Sequence, residues 1–220
     1  MREAIYLSAL FHDIGEFYKM VHDEGNEMIS HEEASYKIIS QIDFLKPHLG
    51  NMKDLIINHH NPKNIYEKII QIADELSCKE EKYDEDIIGR REPKPMEPIF
   101  ARILVNTNKE GQKFYYAINP LSLDNIFPNS KEESNISNSY RIHYNKFYNE
   151  IKKAKNLTQL LYILEKYLWC VPVYDKDGIH DVSIFEHLRN SAAIALCLYD
   201  QYEKGYLTEM DIDNIYENEK

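Results

Sequence analysis

Ala9-Leu10-Phe11-His12-Asp13-Ile14-Gly15 sets an imidazole beside a carboxylate inside an apolar run. The run extends from about Ala4 to Met20, with Leu7, Leu10, Phe11, Ile14, Phe17 and Tyr18 at helical spacing. A histidine and an aspartate are poor core residues, because a buried carboxylate without a cation is costly. They are good ligands for a divalent metal, since nitrogen and oxygen donors leave the backbone together. The dipeptide alone is weak. Its meaning depends on whether the rest of the chain supplies further ligands.

Around it the sequence predicts more helices. Ser30 and Glu33 form a capping-box pattern, placing a helix from His31 to about Gln41. A third runs from about Met52 to His60 and stops before Pro62. A fourth, from about Asn64 to Cys78, carries the stripe Ile65, Ile69, Ile72, Ala73, Leu76. Residues 79–98 are charged and contain Pro93, Pro95 and Pro98, which predicts a loop. Ile99–Asn106 and Lys113–Ile118 flank Asn108-Lys109-Glu110-Gly111 and read as a β-hairpin over 99–118. Asn129–Ser139 is polar and is expected to be a loop. Helices are expected again over about Tyr144–Lys153 and Leu157–Trp169, the second stopped before Pro172. The last follows Ser183, which pairs with Glu186 as a second capping box, and ends near Glu203, with Gly205 as its stop. The expectation is a mostly α chain with one small hairpin, a single domain over 1–220.

Composition narrows the class. With 43% hydrophobic and 29% charged residues the chain suits a globular protein. A net charge of −11 argues against holding nucleic acid by a broad basic surface. It leaves a nucleic-acid enzyme open, because bound metal ions would be the main positive charges of an acidic site. Cys78, Cys170 and Cys197 form no C-x-x-C pair, so a thiolate zinc site is not expected and reduced thiols in a cytoplasm are. The N-terminus does not read as a signal peptide, and no apolar run approaches the length of a membrane span.

Five further residues are weighed with His12 and Asp13. His31 opens a helix, His59-His60 closes one, Asp74 borders an apolar stripe, and His187 shares a face with Ile184, Leu188, Ser191 and Ala195. Each has a plain structural explanation. A lone histidine on an apolar face is more often a hydrogen-bonded core residue than a ligand. Histidines at a helix end complement the helix dipole. His22, His48, His143 and His180 keep such explanations, since they lie in polar or connecting segments. Jointly the case differs: five histidines lie on or at the ends of helices, and two aspartates are embedded in apolar runs. A dinuclear metal centre would remove the cost of burying them. His12, Asp13, Asp74 and His187 would hold one ion, and Asp13 would bridge to a second held by His31, His59 and His60. Such a pair binds phosphate, activates water and stabilises the leaving oxygen.

The heptapeptide resembles the motif of the HD metal-dependent phosphohydrolase superfamily. Ala9–Tyr18, His59-His60 with Ile72-Ala73-Asp74-Glu75-Leu76-Ser77, and Asp181–His187 through Ala192-Ala193-Ile194-Ala195 narrow it. In order they resemble the N-terminal HD nuclease domain of the large, Csm-type subunit of type III CRISPR effector complexes. The hairpin and Asn119-Pro120-Leu121-Ser122 agree. The resemblance implies a circularly permuted HD bundle, in which a late histidine, here His187, replaces the one that usually precedes the HD pair. It also implies divalent-metal-dependent cleavage of single-stranded DNA in antiviral defence, with manganese or nickel, and His12 and Asp13 at the catalytic centre. Other effector subunits and guide RNA are the implied partners.

Two departures stand out. The family usually has lysine where this chain has Glu16, and an anion facing the scissile phosphate would weaken substrate binding. The chain also lacks the GGDD motif and palm domains of the family's large subunit, so it is expected to be an excised or stand-alone HD domain. Two other readings use the same ligands: a phosphohydrolase of small nucleotides, or a catalytically weakened structural module of the complex.

Overall fold

The computed structural model describes residues 1–22, 29–77, 92–102, 113–129, 134–173 and 180–219. The architecture is mostly helical, as expected. Its elements are α1 (Arg2–Phe11), α2 (Gly15–Lys19), α3 (His31–Ile39), α4 (Leu49–Ile57), α5 (Ile65–Ser77), α6 (Ile136–Ile151), α7 (Leu157–Leu168), α8 (Ile184–Glu203) and α9 (Glu209–Glu219).

The first helix is the axis of the bundle. Ala4, Ile5, Leu7, Ser8, Ala9, Leu10 and Phe11 are all buried, so α1 is covered on most sides. Each large side chain there contributes about 1.5–3 kcal/mol of burial. Helix α8 packs along α1 and α5, and α4 covers another side of α1. Helices α1 and α8 are antiparallel. At one end Arg2 donates to both carboxylate oxygens of Asp200, at 2.8 and 2.9 Å; at the other the rings of His12 and His187 lie 5.2 Å apart. Phe17 of α2 docks α6 through Tyr140, Tyr144 and Phe147.

The single helix expected from Ala4 to Met20 is broken after Phe11 and resumes at Gly15. The cause is Ser35 of α3. Its hydroxyl donates to the His12 carbonyl at 2.5 Å and accepts the Gly15 N–H at 2.8 Å. A side chain inserted in this way replaces ladder bonds and turns the chain. Close approach at Gly15 permits it, since a Cβ there would lie 1.9 Å from the His31 carbonyl oxygen.

Three further expectations are corrected. Ile99–Arg102 forms a 3-10 turn and not a strand, and Tyr115 pairs with Asn129 in an isolated antiparallel bridge. The rest of the expected hairpin, 103–112, lies outside the described residues, as does most of the expected 79–98 loop. The polar stretch after Asn129 is partly helical: α6 starts at Ile136, because Asn135 caps it by accepting the Asn138 N–H. Helix α9 was not expected; Thr208 and Asp211 cap its start and Ile212 is buried.

The first capping box and the stops agree with the structure, and the second is reduced to a serine cap, since the Glu186 carboxylate accepts from Arg189. Ser30 and Glu33 cap α3 reciprocally, and Ser183 caps α8 by accepting the Glu186 N–H. Gly205 takes φ +74 just beyond α8. Among the described residues, no helix is long and apolar enough to cross a membrane.

Candidate metal centre

The break after α1 turns His12 and Asp13 into the bundle interior, where both are buried. Four other segments bring the remaining residues to them. His31 is the first residue of α3, and His59-His60 lie in the turn after α4. Asp74 is in the penultimate turn of α5, and His187 in the first turn of α8. Two donor groups result: His12, Asp13, Asp74 and His187, all buried; and Asp13, His31, His59 and His60, of which His31 and His60 are partly open. Access from solvent is therefore at the His31–His60 side.

Asp13 serves both groups with different oxygens. Its Oδ2 lies 3.4 Å from His12 Nε2 and 3.4 Å from His187 Nε2. Its Oδ1 lies 3.3 Å from His31 Nε2 and 3.4 Å from His59 Nε2. Asp74 Oδ1 closes the first group, at 3.0 Å from His12 Nε2 and 3.1 Å from His187 Nε2. In the second group the Nε2 atoms of His31 and His60 are 2.9 Å apart.

These separations test whether an ion fits. Donors about 2.1 Å from a common ion are about 3.0 Å apart at right angles and about 3.4 Å apart at the tetrahedral angle. The observed spacings lie at these values. Asp13 Oδ1, His59 Nε2 and His187 Nε2 are buried without a hydrogen bond of good geometry and face other members of the cluster. Such atoms call for an explanation, and a cation supplies it.

The far sides of three rings are held by hydrogen bonds. His12 Nδ1 donates to the Ala9 carbonyl at 2.8 Å, and His59 Nδ1 to the Ile56 carbonyl at 2.7 Å. A carbonyl only accepts, so in the neutral ring Nε2 carries the lone pair toward the centre. His187 Nδ1 is 2.7 Å from the Ser77 hydroxyl, which itself donates to the Asp74 carbonyl at 2.9 Å. Ser77 thus links two candidate ligands. Glu67 fixes the turn carrying His59-His60: its carboxylate accepts from Asn64 Nδ2 and the Lys63 N–H, both at 2.7 Å, and from Asn58 Nδ2 at 3.3 Å. Sequence reading missed Ser77, Ser35 and Glu67 as supports. An acid in the first turn of a helix already has an ordinary explanation.

The other histidines stay apart from the cluster. His143 is not in a connecting segment, as expected, but buried on α6, where Nε2 donates to the Tyr167 carbonyl at 2.7 Å. His22 stacks on Tyr18 with ring centroids 3.8 Å apart.

Without an ion, protons hold the carboxylates together. Burial opposes charge on His31, but Glu16 and then Asp13 outweigh it and raise the imidazole to about 9. Burial likewise opposes charge on His187 and His59, yet Asp13 and Asp74 raise both. Asp13 is held well below the usual carboxylate range by His12, His187, His31 and His59 despite burial. His60 is pushed down to about 3, first by burial and then by the charges of His59 and His31.

The sign of the pH dependence follows. A histidine raised from 6.5 to about 9 stabilises the folded state fully below 6.5, and that contribution disappears as pH rises through 9. His60, lowered, acts only below 6.5 and does not alter this window. Metal-free protein is therefore expected to lose thermal stability between pH 6.5 and 9. Stabilisation by added divalent ion should grow over the same range, since the ion displaces the proton on Nε2. Melting curves in chelator and in excess Mg2+ test this; metal-free protein that gains stability with pH contradicts it.

Residues 1–78, which carry all but one of the cluster's residues, match the HD domain family. The likeness goes further, to the Cas10/Csm1 subunit of type III CRISPR systems. The chain is 27% identical to the CRISPR system single-strand-specific deoxyribonuclease Cas10/Csm1 (subtype III-A) of Methanocaldococcus jannaschii, over 98% of its own length and 31% of that protein's. It thus spans about a third of this relative. Among solved structures, a Csm1–Csm4 cassette in complex with pppApA matches with TM-score 0.65 and 20% identity, covering 97% of this chain and 29% of the other. Csm1 of T. onnurineus matches with TM-score 0.57 and 19% identity, covering 90% and 28%. These two show the fold. His187 lies outside the segment matched to the HD family, on α8.

Proposed function

We propose that this chain is a single HD domain over 1–220 that cleaves single-stranded DNA in type III CRISPR antiviral defence, using divalent metal. His12, Asp13, Asp74 and His187 would hold one ion; Asp13, His31, His59 and His60 would hold the second. His12 and Asp13 stand at the catalytic centre. Manganese or nickel is the proposed metal, the cytoplasm the proposed location. Other type III effector subunits and guide RNA are the proposed partners, through the rest of a large subunit of the Cas10/Csm1 kind.

The sharing of Asp13 carries this reading. One carboxylate presents Oδ1 to one donor group and Oδ2 to another, at 3.3–3.4 Å on both sides. When bound, two such ions anchor a phosphate, activate water and stabilise the leaving oxygen. The protein's own work is to hold the rings and exclude water from the inner group. Asp74 and His187 fix the inner group, which is wholly buried, while the phosphate approaches past His31 and His60, where the cluster is partly open. Glu32, 3.6 Å from His31 Nε2, adds negative charge there, so phosphate binding depends on the ions being present. The single-strand substrate is supported by the likeness to a single-strand-specific deoxyribonuclease over nearly the whole chain.

The test is incubation with Mn2+ and, separately, single-stranded DNA, duplex DNA and mononucleotides. Metal-dependent cleavage of the single strand is expected, with duplex spared. Hydrolysis of mononucleotides alone selects a small-nucleotide phosphohydrolase. Metal uptake with no hydrolysis of any substrate selects a structural module.

A further inference from the structure

Glu16 stands where the resembling family carries lysine, and the structure gives it a role that a surface anion would not have. It is 4% exposed, in the first turn of α2. The Glu16 N–H donates to the Asp13 carbonyl at 3.0 Å, a helical turn that puts both side chains on one face. Both then reach the same imidazole from different sides. Glu16 Oε1 lies 3.3 Å from His31 Nδ1, and Asp13 Oδ1 lies 3.3 Å from His31 Nε2. Glu16 is buried against the His31 ring.

We propose that Glu16 is a positioning residue of the second subsite. Its carboxylate keeps the proton of His31 on Nδ1 and so presents Nε2, lone pair inward, between Asp13 Oδ1 and His60 Nε2. This rests on the dinuclear reading above. The other rings are held by neutral groups: His12 and His59 by backbone carbonyls, His187 by a serine hydroxyl. A carboxylate makes the imidazole it holds more basic and fixes its tautomer, as carboxylate–histidine–metal triads do. The charges agree as well. Asp13, Asp74, Glu16 and Glu32 surround the cluster as four carboxylates, the charge that two divalent ions neutralise. A lysine at position 16 would set a cation against His31 and the second ion. The substitution that looked like lost catalysis is on this view an added support.

Calorimetric titration with Mn2+ of wild type, Glu16→Ala, Glu16→Gln and Glu16→Lys decides it. Wild type is expected to take two ions. Glu16→Ala should keep the first at unchanged affinity and weaken the second by about 10–100-fold. Glu16→Gln keeps an acceptor for Nδ1–H without the charge and should fall between. A general folding defect would weaken both ions, so loss confined to one separates positioning from structure. Nitrogen-15 spectra of the Zn2+-loaded protein add a second readout: His31 should carry its proton on Nδ1 in wild type and lose that single tautomer in Glu16→Ala. Two ions bound with unchanged affinity in Glu16→Ala, or a second ion bound as tightly in Glu16→Lys, overturns the role of Glu16 alone. Wild type that takes fewer than two ions overturns the dinuclear reading and this proposal with it.

Discussion

Asp13→Ala is expected to lose both metal ions and to cut single-stranded DNA at least about 10³-fold more slowly than wild type. The argument is geometric. Every other candidate ligand serves one donor group, whereas Asp13 gives one oxygen to each. Removing Asp74 or His60 should weaken one subsite; removing Asp13 takes the anion from the middle of both. Ions at such centres supply several kcal/mol of transition-state stabilisation, and each 1.36 kcal/mol is a factor of ten, which sets the expected loss. The variant also removes from His31, His59 and His187 one of the carboxylates that raise them, so their proton affinity should fall. Elemental analysis and a cleavage assay check the claim together. Retention of both ions, or of activity within tenfold of wild type, would sink it.

The second large effect is predicted at a residue with no chemistry. Gly15→Ala should destabilise the protein by at least about 3 kcal/mol, the upper part of the range for overpacked interiors. The added Cβ would meet the His31 carbonyl oxygen at 1.9 Å, the Ser35 nitrogen at 2.7 Å and the His31 carbonyl carbon at 2.8 Å. All three are backbone atoms, so no rotamer change relieves the clash and the start of α3 must move. At roughly 2–4 °C per kcal/mol for a chain of this size, the melting temperature should fall by about 6–12 °C. Because His31 opens α3, the displacement should also weaken the second ion while sparing the inner group. Gly50→Ala is the control: in the first turn of α4 its Cβ meets nothing within 4 Å, so no loss of stability is expected. A Gly15→Ala variant that melts within about 2 °C of wild type, a small fraction of the shift expected here, refutes the close approach.

How much of this was legible in the sequence depended on whether the deciding contact was local. His12, Asp13, Asp74 and His187 stood out because a polar group in an apolar stripe shows at short range. Helices capped by their own neighbours, α3 by Ser30 and Glu33 and α8 by Ser183, were placed to within a few residues for the same reason. The break between α1 and α2 was not visible, because Ser35 imposes it from twenty residues away. The contact of Glu16 with His31 was not visible, since nothing near it in sequence indicates that His31 lies beside it. The start of α6 was hidden by a run of Asn and Ser residues, and α9 by having little but Ile212 buried. Ile99–Arg102 shows the reverse error: β-branched and aromatic residues suggest a strand only where a partner strand is available.

The antiparallel seam between α1 and α8 has a consequence for the order in which the molecule is made. Ser77 and His187 touch across 110 residues, and Arg2 and Asp200 across 198. Closing a loop of about 110 residues costs on the order of 4 kcal/mol of chain entropy before any contact forms. On a ribosome, the first five helices emerge long before α8 does, with Asp13 and Asp74 unable to find the ring that completes their cage. The inner donor group therefore comes into being only once α8 has been made. A nascent chain that stops short of it holds half a site, and the four-donor cage cannot exist until the helix bearing His187 has folded back.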